Sequence, residues 1–133
     1  MDAIITTWTP RLLSVLRIVA GLLFVEHGSA KLLHFPVSPE LPAELPPLLM
    51  VAGALELVGG ALLALGLFTR IVAFVLSGEM AAAYFMAHAP ASFFPILNHG
   101  EGAILFCFIF LYLAAAGGGE WSLDRMLRPG AKL

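Results

Sequence analysis

LLSVLRIVAGLLFVEHGSAKLL, residues 12–33, is the stretch that decides the fold. It is long enough to cross the hydrocarbon core of a bilayer, which takes ~20 apolar residues in a helix. It also carries Arg17, Glu26, His27 and Lys31. Its small-residue ending, Gly28-Ser29-Ala30, runs on into further apolar segments, so it reads as a retained span and not as a cleaved signal peptide.

Three more segments of this kind follow, at about 48–67, 71–88 and 97–116. Inside lipid the backbone must satisfy its own polar groups, so each segment is predicted to be a helix. Prolines 36, 39, 42, 46 and 47 crowd the first connection, Gly66–Thr69 makes a tight turn, Pro90 and Pro95 flank the third connection, and Gly117-Gly118-Gly119 ends the last span. Beyond it, Trp121 and the segment Ser122–Leu127 predict a short interfacial turn capped by Ser122, with Trp8 at the same interface. The expected fold is all-α: a four-transmembrane-helix bundle forming one domain over residues 1–133.

Bulk numbers agree. Of 133 residues, 60% are hydrophobic and 12% charged, and the mean hydropathy is +0.95. A soluble domain this small could not hide so much apolar surface. The net charge of −2 and the absence of a basic run with interleaved aromatics argue against nucleic acid as a partner. One cysteine, Cys107, rules out an internal disulfide or a CxxC pair within the chain, and its apolar setting suggests packing.

Lysine and arginine set the orientation. With four crossings, Arg11, Arg70, Arg125, Arg128 and Lys132 all fall on one side, and Lys31, Glu40 and Glu44 on the other. Both termini are therefore expected inside, in a bacterial plasma (inner) membrane.

Charged groups within a membrane are costly and usually face a bundle interior. Rise per residue sorts them into two layers. Glu56 and Glu79 lie near mid-membrane, with Arg17 on the inner side of them. Glu26, His27, Lys31, His88, Asn98, His99 and Glu101 lie nearer the outer surface. Arg17, Gly21, Phe24, Gly28 and Lys31 share a helical face, and Glu26 points away from it. Glu26 is expected against a neighbouring subunit or lipid. Ala52, Gly53, Glu56, Gly59 and Gly60 form a small-residue seam for close helix packing. Arg17 is the expected counter-ion of Glu56, as a packing ion pair at least as much as a catalytic one. The histidines fit interfacial hydrogen bonding, and no HxxxH pair points to a metal.

Arg17-x3-Gly21-x2-Phe24-x2-His27-Gly28-x2-Lys31, Glu56-x2-Gly59-Gly60, Gly66-Leu67-x-Thr69-Arg70, Asn98-x-Gly100-Glu101 and Trp121-Ser122-Leu123-Asp124 together resemble the DoxX family of small four-helix membrane proteins, over nearly the whole length. That family takes its name from a subunit of archaeal quinol-oxidising and thiosulfate–quinone oxidoreductase systems, and other members are linked to membrane-bound oxidative-stress complexes. The resemblance implies Arg17, His27, Lys31, Glu56, Arg70, Asn98 and Glu101 as the functional set. The leading expectation is a subunit of a redox system with quinone as its candidate ligand. His27, Glu56 and Glu101 are the candidate catalytic groups. Arg17, His27, Lys31, Glu56, His88, Asn98, His99 and Glu101 are the candidate ligand-binding groups. Two rivals stand beside it: a non-enzymatic scaffold anchoring a soluble or membrane redox partner, and a small-molecule transporter or binding protein acting as a homo-oligomer.

Overall fold

The computed structural model describes residues 2–128, so Lys132, counted above for orientation, lies outside the described residues. Six helices and a π-turn follow one another: α1 (Asp2–Leu33), α2 (Pro47–Leu65), α3 (Thr69–Ala83) running on into a π-turn (Tyr84–His88), α4 (Pro95–Asn98), α5 (Glu101–Ala116) and α6 (Leu123–Leu127). Among the described residues there is no strand.

α1 begins well before Leu12. Its early threonines are compatible with helix because the Thr7 and Thr9 hydroxyls donate to the carbonyls of Ala3 and Ile5, 2.8 and 2.7 Å away. At ~1.5 Å per residue α1 is about 48 Å long, more than the ~30 Å hydrocarbon core. α2 starts on Pro47, where a missing N–H costs nothing. It stops at Gly66, whose φ of 71° lets its N–H and that of Leu67 return to the carbonyls of Leu63 and Leu62. α1, α2 and α3 with its π-turn are each long and apolar enough to cross a membrane.

The last predicted span departs from expectation. Instead of one helix from residue 97, α4 ends at Asn98, His99 turns with φ 57°, and α5 starts at Glu101. α5 is apolar but has 16 residues, about 24 Å.

The helices pack as two antiparallel pairs, α1 with α2 and α3 with α5. Glycines set the first pair. A Cβ on Gly21 would lie 2.6 Å from the Ala64 nitrogen, one on Gly60 2.7 Å from the Val25 nitrogen, and one on Gly28 would collide with the Leu57 backbone. The partner of the small-residue seam on α2 is therefore α1, apart from Gly59, which faces Leu76 of α3. In the second pair the Ser77 hydroxyl donates to the Cys107 carbonyl at 2.8 Å. Phe24 joins the pairs, its ring edge-on to Phe110 at 4.5 Å and to Phe106 at 5.0 Å, above Leu63, Leu76 and Leu113. Outward positions are apolar as well: Ile71 is 70% exposed and Phe108 64%. Such a surface suits lipid and not water.

Candidate functional site

The charged residues divide between the two ends of the bundle. At the end holding the α2–α3 turn and the C-terminal tail, Arg17 is fully buried. It donates to the carbonyls of Gly118 (2.8 Å), Ala64 (2.8 Å), Trp121 (2.5 Å) and Leu63. Leu63 and Ala64 belong to the last turn of α2, where the regular helical hydrogen bonding ends and the Leu63 carbonyl also accepts the Gly66 N–H. Arg70 does the same for α5 through Ala114 (3.1 Å) and Ala115. The Asp124 carboxylate accepts from the N–H groups of Phe68 and Thr69, both at 2.8 Å, and so caps the start of α3 from the tail. Burial pushes the Asp124 carboxyl up, but the Thr69 and Phe68 N–H groups, the Thr69 side chain and the Arg128 charge outweigh it and hold it below its usual range. Ser14 accepts from the Trp121 N–H at 2.9 Å, and Arg11 pairs with Glu120 at 3.0 Å.

At the other end the counter-ion of Glu56 is Lys31, with Nζ 2.6 and 2.5 Å from the two carboxylate oxygens. The expected Arg17–Glu56 pair does not form. Helical side chains lean toward the helix N-terminus. Lys31, two residues from the end of α1, therefore leans into the bundle toward Glu56. Arg17, about two helical turns nearer the start of α1 than Phe24, leans in the same direction, which carries it away from Glu56 and toward the tail.

The ion pair forms one wall of a cavity of about 290 Å³ between the two helix pairs. α1 and α2 contribute Phe24, His27, Lys31 and Glu56; α3, its π-turn and the α4–α5 region contribute Met80, His88, His99, Gly102 and Phe106. The π-turn, closed by the Ala89 N–H on the Tyr84 carbonyl at 2.8 Å, sets the direction of His88. His88 Nδ1 lies 3.0 Å from the Asn98 carbonyl oxygen. Asn98 is itself fixed: it donates to the Ser92 carbonyl at 2.9 Å and accepts from the Gly100 N–H at 2.7 Å. Asn98 therefore orients His88 and does not line the cavity. Beside the ion pair, both Glu79 carboxyl oxygens are buried without a hydrogen-bond partner among the described residues.

Of the sequence candidates, His27, Lys31, Glu56, His88 and His99 thus share one cavity. Asn98 stands behind it. Arg17 and Arg70 sit at the far end of the bundle, and Glu26 and Glu101 are exposed. His34 went unremarked in the sequence. It lines a second cavity of about 220 Å³ beneath the α1–α2 connection, which also touches Lys31. Its position directly after the last turn of α1 was the available signal. Among the described residues no metal-binding group of three His, Cys, Asp or Glu side chains forms.

Antiparallel apolar helices around a polar cavity define a small multi-pass integral membrane protein in contact with lipid. The chain belongs to the DoxX family, whose sequence profile matches residues 12–89. It is 48% identical over 122 residues to an uncharacterised protein of Haemophilus influenzae, an alignment covering 88% of this chain and 91% of that one. It is 29% identical over 124 residues to a Bacillus subtilis protein named "Putative oxidoreductase CatD", covering 89% and 88%. No solved structure matches the chain significantly.

Proposed function

We propose that this chain is the membrane subunit of a quinone-linked redox system, with the quinone head held in the cavity between the two helix pairs. The observation that carries this reading is the composition of that cavity: Phe24, Met80 and Phe106 give it apolar walls, and His27, Lys31, Glu56, His88 and His99 bring hydrogen-bonding and titratable groups into the same space. A quinone head needs donors for its two oxygens, apolar contact for its ring and a group that exchanges protons. His27 and His99 supply imidazole nitrogens that can donate to or accept from the quinone oxygens. Lys31 supplies a fixed positive charge, and Glu56 holds Lys31 in place. The Bacillus subtilis relative, named an oxidoreductase, supports the redox part.

In this reading residues 1–133 form one domain. α5, with the α4 turn in front of it, is the fourth crossing, and both termini face the cytoplasm of a bacterial cell across its plasma membrane. Arg11, Arg70, Arg125 and Arg128 on one side of the bundle support that orientation.

The test is spectroscopic. Detergent-purified protein is scanned before and after chemical reduction, then titrated with a short-chain quinone while Trp and Tyr emission is followed. Bound or saturably binding quinone, weakened tenfold or more in His27→Ala, is the expected result. Aromatic absorbance alone, with no saturable binding, would sink the proposal and favour a scaffold that anchors a soluble enzyme.

A further inference from the structure

The opposite end of the bundle carries a third cavity, which the quinone reading does not use. It measures about 170 Å³ and opens between the α2–α3 turn and the tail, bordered by Phe68, Arg70, Ile71, Gly117, Asp124 and Arg128. Arg70 is half-committed: its Nη1 holds the α5 carbonyls. The rest of the guanidinium lies under Gly117, where an added Cβ would rest 3.4–3.6 Å above Nη2, Cζ and Nε. Glycine at that position leaves the guanidinium face uncovered. Asp124, the acidic group of this cavity, already has both carboxylate oxygens engaged by backbone N–H groups. Arg70 and Arg128 thus leave a net positive charge facing the cavity. Phe68 and Ile71, 57% and 70% exposed, continue the rim onto the lipid-facing surface.

A planar guanidinium beside a second arginine, at the level where apolar surface meets the polar end of the bundle, has the chemistry of a phosphate site. Basic pockets between membrane helices take anionic headgroups in this way. We infer that this cavity binds the phosphate of an anionic lipid headgroup between Arg70 and Arg128, with the acyl chains lying along Phe68 and Ile71. The site is independent of the quinone proposal, since it lies at the other end of the molecule.

The experiment counts phosphatidylglycerol retained by the full chain, by native mass spectrometry after purification from mixed phosphatidylglycerol–phosphatidylcholine nanodiscs. Arg128→Gln is the main variant, because the Arg128 side chain is exposed, whereas Arg70 also holds the α5 carbonyls, so Arg70→Gln is the harsher one. Arg125→Gln is the control, being exposed and outside the cavity. Retention about five-fold lower in Arg128→Gln, and unchanged in Arg125→Gln, is expected. A parallel arm adds inorganic phosphate to the detergent-solubilised protein and reads the melting temperature. Protection by phosphate that Arg128→Gln abolishes would uphold the site with a soluble ligand as its source. Equal losses in Arg125→Gln and Arg128→Gln, or no loss in either, would overturn the proposal.

Discussion

Lys31 and Glu56 are bonded through both carboxylate oxygens, at 2.6 and 2.5 Å, although one stands near the mouth of α1 and the other nine residues into α2. Gly53, one turn before Glu56, faces the Lys31 Cβ, so the lysine stem has a difference in depth of three residues to cover, about 4.5 Å at ~1.5 Å per residue. Both side chains are largely buried, 14% and 5% exposed, so neither charge is well solvated on its own.

Removing one partner should therefore be worse than removing both. Lys31→Met is expected to lose ~3–5 kcal/mol of stability, and Lys31→Met combined with Glu56→Met to recover most of it. Thermal melts in detergent decide the matter, and simple additivity of the two losses would contradict it.

The α1–α2 seam makes a second prediction. Gly28→Ala places a Cβ against the Leu57 backbone and should cost ~1–3 kcal/mol as the helices separate. Gly78→Ala, where an added Cβ meets nothing within 4 Å, should be neutral or slightly stabilising. Equal melting temperatures for the two variants would show that the seam is looser than described.

Arg17→Met should strip donors from four carbonyls at once. Leu63 keeps the Gly66 N–H and Gly118 the Ser14 hydroxyl, but each acceptor left without a donor costs ~1–3 kcal/mol, so the folded yield should fall sharply. Whatever fraction folds should bind the cavity ligand as wild type does, because Arg17 is outside the cavity. A normal yield with lost ligand binding would return Arg17 to the binding set.

Asp124 gives a pH signature. Its folded pKa lies below the ordinary 3.8. Its contribution to stability is therefore fully present above that value and fades as the pH falls through the lower folded one. Asp124→Asn should melt below wild type at pH 7, and the gap should narrow as the pH is taken under about 4. A gap that stayed constant down to pH 3 would mean the charge contributes nothing.

Much of this was legible in the sequence. The apolar runs located the helices to within a few residues, apart from the start of α1, and the small residues of α2 identified a close seam. The groups of the outer layer that meet in the cavity, His27, Lys31, His88 and His99, came from counting rise along each span. Glu56 was given the wrong partner, Arg17 in place of Lys31, because facing direction was considered without the lean of helical side chains. The break at His99 was hidden for a different reason. Ile96 and Leu97 continue the apolar run, whereas the interruption depends on Tyr84 packing over Gly100, where a Cβ would lie 2.7 Å from the ring. The π-turn that aims His88 leaves no mark in composition or spacing.

The tail ties the two helix pairs together at one end, through its contacts with Arg17, Ser14 and Arg11 on α1 and through Asp124 of α6 to the start of α3. That end is a fulcrum. The cavity sits between the free arms, with α1 and α2 on one side and α3 and α5 on the other. From Thr69 to His88 is about 30 Å, so a splay of only ~5° at the fulcrum opens the arms by about 2–3 Å at His88. A flat ring could slide in sideways from the bilayer through a gap of that size while every tie in the tail stays closed.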